Sequence, residues 1–236
     1  ETMLDRFMTD PPVTIFLKGD KAARHWTYNN LTVWPEGIGA AACFVIDKNG
    51  KMQNSDVLSG EVVLLDAGAH TLDALQMSDG NFNPENLQHA TWENGGVDTH
   101  IRQPILRTVH KAHEDFTNVT VDDIDRVIRL GSVSGDYTLR AAGQEINLES
   151  LLNKYSERYA EWTANNILDG VFGGLKGIKS LVLFGGGAYR ITDHIHKWYG
   201  DKLLDTKKHA TTKGIPLEDM NAVGGLRLAL LKQQGS

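Results

Sequence analysis

The chain has a single cysteine, Cys43, among its 236 residues. That rules out an internal disulfide framework and fits a reducing, cytoplasmic setting. No apolar run approaches the roughly 20 residues that a membrane-spanning helix needs, and the opening ETMLDRFMTDPP is too polar and mixed for a secretory leader. Basic charge is in deficit: the net charge is −6 at pH 7, so neither direct nucleic-acid binding nor adhesion to an anionic membrane has electrostatic support. No internal repeat and no low-complexity tract occurs. Neither GxSxG, nor the P-loop pattern GxxxxGK[ST], nor HExxH is present, and the nine histidines form no zinc pattern. His194 with His196 and His110 with His113 are closely spaced, but each pair lacks a third ligand and reads as surface or helix-face residues.

What is present is an ordinary globular composition, 41% hydrophobic and 23% charged, long enough for one large domain or two small ones. Short β-rich runs at Val13–Leu17 and Arg24–Trp34, separated by a turn at Lys18-Gly19-Asp20, predict a small sheet. Pro35-Glu36-Gly37 then leads into Ile38–Ile46, where three consecutive alanines favour a helix and small side chains permit close packing. Cys43 reads as a buried residue of that helix. Glu61–Asp73, EVVLLDAGAHTLD, opens with four apolar residues of buried-strand character, turns at Asp66-Ala67-Gly68, and returns through Ala74–Met77. A further strand is expected over Leu87–Trp92, broken by Glu93-Asn94-Gly95-Gly96. Val97, Ile101, Ile105 and Val109 recur at helical spacing, with Pro104 kinking that helix or starting another. Thr120 heads a capped helix to Leu130. Gly131–Gln144 reads as turn-rich, with a short strand at Tyr137–Arg140. Asn147–Leu168 is the strongest helical pattern, its stripe comprising Leu148, Leu151, Leu152, Tyr155, Tyr159 and Trp162. Ser180–Phe184 is a second buried strand, ending in Gly185-Gly186-Gly187-Ala188 before a helix through Ile191, Ile195 and Trp198. A last helix covers Asn221–Lys232. Strands alternating with helices define an α/β class.

Three glycine turns therefore end or border strands, at Asp66-Ala67-Gly68, Gly95-Gly96 and Gly185-Gly186-Gly187. In open α/β sheets ligands sit beyond the carboxyl ends of strands, and exposed amides there suit a phosphate. Each turn alone is also explained by tight chain reversal, Asp66 by turn capping, Glu36 by a helix start and Asp73 by structure.

Taken in order, these segments resemble the actin, sugar-kinase and heat-shock-chaperone ATPase superfamily. Asp66-Ala67-Gly68-Ala69-His70-Thr71-Leu72-Asp73 is similar to its second phosphate loop, DxGxxTxD. SLVLFGGGA at Ser180–Ala188 is similar to its adenosine motif. Pro35-Glu36-Gly37 with Ile38–Ala42 resembles the helix linking two lobes, Asn94-Gly95-Gly96 the glycine pair before a helix, and Asn221–Leu226 the closing helix. Order and spacing match in all five, and the ParM-type plasmid-segregation actins are the most similar subfamily. His70 departs from the small or hydroxyl residue usual at its place. Nothing before Pro35 matches the first phosphate loop, so the resemblance implies an α/β, ribonuclease H-like second lobe over 59–236, with an inserted subdomain at about 119–150. Residues 1–58 would be the tail of a first lobe, in a chain cut from a longer protein or naturally lacking the rest.

The resemblance implies ATP or ADP (or GTP) with Mg²⁺ as cofactors. Asp66 would hold Mg²⁺ through water, and Glu36 would orient the attacking water. Gly68, Ala69 and Thr71 would donate to phosphates, Gly95 and Gly96 would border ribose and phosphates, and Gly185, Gly186, Gly187 and Ala188 would lie against adenosine. It also implies self-association into filaments for plasmid or DNA segregation, with a DNA-bound adaptor protein as a partner. The alternatives are a small-molecule kinase of the same fold and a non-catalytic half-fold that only binds a partner.

Overall fold

The computed structural model describes residues 13–15, 22, 24–26, 33–53, 56–83, 85 and 87–234. The chain divides into two compact units, Glu1–Trp34 and Pro35–Ser236. In the first, β1 (Val13–Ile15) pairs antiparallel with β2 (Arg24–Trp26), Val13 opposite Trp26, as the β-rich composition leads one to expect. The expected turn at Lys18-Gly19-Asp20, and the strand residues 16–17 and 27–32, lie outside the described residues.

The second unit is built on a four-stranded mixed sheet in the order β5-β4-β3-β8. Strand β3 (Glu61–Ala67) runs antiparallel to β4 (Thr71–Ser78), which pairs antiparallel with β5 (Gln88–Glu93); on its other side β3 runs parallel to β8 (Ile178–Phe184). Val62–Ala67 are all buried, and so are Ser180–Phe184. Continuous rather than alternating burial means that both sheet faces are covered, the usual condition of parallel strands. Parallel pairing also brings the carboxyl ends of β3 and β8 side by side.

Helix α1 (Ile38–Val45) is buried at every position. It crosses α6 (Met220–Gln234) with backbone against backbone. A Cβ on Gly224 would stand 1.7 Å from the Gly39 carbonyl oxygen, and one on Gly39 would stand 2.2 Å from that of Asn221. The small residues of both segments are therefore a packing requirement. Arg227 of α6 is buried, and its guanidinium donates to the carbonyls of Cys43, Ile46 and Thr211, closing the end of α1.

Val97, Ile101, Ile105 and Val109 are buried as their spacing implies. Pro104 lies where a π-helical turn, Asp98–Arg102, passes into α2 (Gln103–Ala112), so it begins a second segment. Thr120 caps α3 (Val121–Ser134) in a reciprocal box with Asp123.

The turn-rich reading of Gly131–Gln144 is corrected. α3 continues through Gly131 to Ser134, because that glycine admits the Tyr137 ring, 2.3 Å from where its Cβ would stand. β6 (Thr138–Ala141) then pairs with β7 (Gln144–Asn147), whose QEIN sequence carries little strand signal, so α4 starts only at Glu149 and runs to Thr163, with a π-helical extension through Asp169. Trp198, on α5 (Ala188–Tyr199), is exposed, while Ile191 and Ile195 are buried. No helix among the described residues is long and apolar enough to cross a membrane.

Candidate functional site

Asp66 stands at the carboxyl end of β3, opposite Asp73 on β4, which is in turn opposite Thr91 on β5. Two carboxylates facing each other across a ladder repel. Asp73 is settled by two hydroxyls, Thr71 at 2.7 Å and Thr91 at 2.5 Å, each donating to one of its oxygens. Asp66 is only 8% exposed. Its pKa rises from 3.8 to about 7, chiefly through burial, then through the charge and hydrogen-bonding proximity of Glu36 and the charge of Asp73; a bond from Asn221 offsets part of this. A buried carboxyl whose pKa is pushed up to about 7 keeps its proton over part of the population near neutrality.

Asn221 on α6 ties this pair together. Its Nδ2 donates to Asp66 Oδ2 at 3.0 Å, and its Oδ1 accepts the amides of Gly37 at 3.2 Å and Ala40 at 3.1 Å. One carboxamide thus holds the start of α1, beside Glu36, against the end of β3. Gly37 takes φ +96, a left-handed conformation in which a side chain would also crowd Leu75.

The glycine triplet after β8 meets the same place. Gly187 donates its amide to the Ala67 carbonyl at 2.7 Å. Gly185, at φ +82, leaves room for the carboxylate: its Cβ would lie 2.1 Å from Asp66 Oδ1. Gly187 cannot carry a Cβ either, since Val97 Cγ2 would be 2.6 Å away. Gly186 is different. It is exposed, and a Cβ there would meet nothing within 4 Å. The protein's own packing demands glycine at the first and third positions and leaves the middle one open.

The turn Gly68–His70 is zipped to the segment after β5, with Gly96 N donating to His70 O at 3.1 Å, Val97 N to Gly68 O at 3.1 Å and Asp98 N to Ala69 O at 2.8 Å. Gly96 is needed for this close approach, because its Cβ would lie 2.5 Å from the Ala69 carbonyl oxygen, whereas Gly95 is confined by Trp92, whose carbonyl oxygen its Cβ would approach to 2.9 Å. Within the turn, Gly68 gives its amide to Thr71 O at 3.0 Å, and the Thr71 hydroxyl is engaged with Asp73. The amides without an acceptor among the described residues are those of Ala69 and His70. His70 turns its ring outward, Nδ1 2.8 Å from Asp98 Oδ2.

Tyr159 of α4 is buried with no partner for its hydroxyl. Burial, and then the negative field of Asp66, push its pKa far above the ordinary phenol value. His100 stacks on the Tyr159 ring at 4.9 Å and lies 4.3 Å from the Trp162 ring. Burial lowers its pKa, which favours the neutral imidazole. The aromatic stripe is core at Tyr159, as expected, and a ring stack at half-buried Trp162. Among the described residues no cluster of three or more His, Cys, Asp or Glu side chains is placed to hold a metal ion.

The structure thus brings Glu36, Asp66, Gly68–Thr71, Gly95, Gly96 and Gly185–Ala188 into one locality at the strand ends. It also adds residues that the sequence did not single out. Asn221 was visible only as part of a small-residue helix, although a carboxamide in such a helix is itself a signal. The partnerless Tyr159 hydroxyl had no local signal at all.

This arrangement is that of the actin-like ATPase fold. The chain matches the solved structure of a non-polymerisable quadruple mutant of pCBH ParM (TM-score 0.67, 20% identity, covering 97% of this chain and 62% of that one). It also matches Ta0583, an archaeal actin homologue (TM-score 0.64, 21% identity, 91% and 59%), and Bacillus thuringiensis ParM with ATP (TM-score 0.61, 14% identity, 92% and 59%). The chain therefore spans about 60% of the length of these structures. No family model and no curated protein matches it.

Proposed function

We propose that residues 59–236 are the second lobe of an actin-like protein that binds ATP or ADP with Mg²⁺, hydrolyses ATP, and uses nucleotide state to govern self-association into filaments. Residues 1–58 belong to the tail of the first lobe in this reading. The observation that carries it is the convergence, at the ends of two parallel strands, of the Asp66 carboxyl, two unspent amides and an open glycine. Gly186 is the one member of its triplet whose missing side chain the protein does not itself require, and a flat ligand lying over it supplies the reason. The amides of Ala69 and His70 suit phosphate oxygens.

The oxygen donors suit a hard cation, and a single buried carboxyl beside exposed Glu36 is the sparse protein ligation that Mg²⁺ accepts when phosphates and water complete its shell. When bound, Mg²⁺ supplies positive charge that neutralises the phosphates. Asp66 would hold it through water, in its ionised form. Glu36 would orient the attacking water, since phosphoryl transfer needs positioning more than covalent help. Similar folds carry ATP in Bacillus thuringiensis ParM and ADP in Ta0583, and polymerisation is implied for pCBH ParM by the existence of its non-polymerisable mutant. A role in plasmid or DNA segregation through a DNA-bound adaptor extends the same likeness.

The test is a Gly186→Val substitution read by thermal unfolding with and without MgATP. The substitution should leave the ligand-free Tm unchanged and remove the nucleotide-dependent rise. A wild-type chain with no such rise, or a variant with an undiminished one, would refute nucleotide binding at this place.

A further inference from the structure

Away from the proposed nucleotide locality, α2 and α4 flank an open groove of about 730 Å³ lined by Pro104, Arg107, Thr108, Lys111, Tyr155 and Arg158. Its chemistry runs against that of the whole chain, whose net charge is −6. Three of those six residues are cations. A fourth, Lys154, places its Nζ 5.7 Å from the centre of the Tyr155 ring, and the Arg158 guanidinium carbon lies at the same distance from that ring. None of these four cations makes an ion pair with a described residue, whereas Arg102, Arg126, Arg129, Arg140 and Lys208 all do. The floor is preorganised: the Thr108 hydroxyl donates to the Pro104 carbonyl, and its oxygen lies 2.8 Å from the Tyr155 hydroxyl.

We infer that this groove docks an acidic, amphipathic peptide segment of a partner protein, with carboxylates on Arg107, Lys111 and Arg158 and an apolar side chain on the Pro104–Tyr155 floor. Paired guanidinium and ammonium groups around an apolar floor match carboxylates interleaved with apolar residues. A nucleic-acid strand is the poorer fit. Single strands are held by stacking bases on free aromatic faces, and the only aromatic ring here already carries two cations, with its hydroxyl engaged. The acidic whole also repels a polyanion at long range, an effect that grows with the ligand's charge.

The experiment measures fluorescence anisotropy with the 236-residue chain and three fluorescein-labelled probes: a peptide of alternating Glu and Leu, a Glu-Ser peptide of equal charge, and an oligothymidine of equal charge. The Glu-Leu peptide should bind saturably, at least tenfold tighter than the other two. An Arg107→Glu/Arg158→Glu double variant should weaken that binding at least tenfold. A milder Lys111→Gln variant should weaken it two- to fivefold, with both variants keeping the wild-type Tm because the side chains are at the surface. Equal binding of the Glu-Ser peptide, tighter binding of the oligothymidine, an unchanged affinity in the variants, or no saturation below about 1 mM would each overturn the inference. Loss of self-association in the charge variants without any peptide binding would likewise overturn it, assigning the groove to a second copy of the chain instead.

Discussion

Replacing Asp66 with asparagine should stabilise this protein, and by an amount set by pH. Folding raises the Asp66 pKa from 3.8 to about 7, so the native state binds that proton more tightly than the unfolded chain does. The stability this supplies is fully present below about pH 4 and is lost as pH rises through about 7. Three units at 1.36 kcal/mol each amount to about 4 kcal/mol, an upper bound because the shift arises partly from the neighbouring Glu36 and Asp73 carboxyl groups. Asparagine keeps the shape and removes the titration: its carbonyl can accept from Asn221 Nδ2, as Asp66 Oδ2 does, and its amide can donate to Glu36. Urea unfolding of wild type and Asp66→Asn at intervals from pH 4.5 to 8.5 should give curves that meet at the acid end. They should diverge to roughly 2–4 kcal/mol in favour of the variant above pH 7.5, or about 5–15 °C in Tm for a unit of this size. Mg²⁺ should recover part of the difference for wild type at pH 8, because it favours the ionised carboxylate, and should do nothing for the variant. Parallel curves across the whole range would refute the account of Asp66 as a carboxyl held protonated by burial and Glu36.

The remaining expectations are shorter. Asn221→Ala strands Asp66 Oδ2 and the amides of Gly37 and Ala40, so it should cost roughly 2–3 kcal/mol. Because the lost bond favours the ionised carboxylate, it should also move the stability transition of Asp66 to higher pH, whereas an alanine acting only by lost packing would leave the midpoint in place. Gly224→Ala drives a Cβ into the Gly39 carbonyl at the α1–α6 crossing, where the obstruction is backbone; unfolding titration should show a loss of about 3 kcal/mol or more. The Cys43 thiol, pushed up to about 11 chiefly by burial, with Arg227 pulling the other way, should be inert to a thiol reagent at pH 8 until the chain is unfolded. Labelling at the rate of a free thiol in native buffer would contradict its burial.

The order of elements and the place of the candidate site are legible because both depend on local pattern. A run such as VVLL cannot alternate its faces between core and solvent, so it must be buried on both, and the residue that ends it, Asp66, must emerge at a strand end where an α/β sheet keeps its ligand sites. The same logic located Gly185–Gly187. What local pattern could not tell is why each glycine is there. Gly39, Gly95, Gly96, Gly131, Gly185, Gly187 and Gly224 are fixed by a neighbour's backbone or side chain brought up by tertiary packing, and only the contact geometry separates them from Gly186. The helix runs through Gly131 instead of turning there for this reason, since a glycine that admits a ring does not have to break a helix. The same distinction redistributes the phosphate-loop donors. The resemblance implies Gly68, Ala69 and Thr71 as donors to the phosphates, but the fold has already spent the Gly68 N–H on Thr71 O and the Thr71 O–H on Asp73, leaving the amides of Ala69 and, beside it, His70. A backbone amide is available to a ligand whatever side chain accompanies it, which is why a histidine is tolerated at position 70 with its ring turned away toward Asp98. Identity at a motif position and availability of its donor are separate properties, and only the second bears on binding.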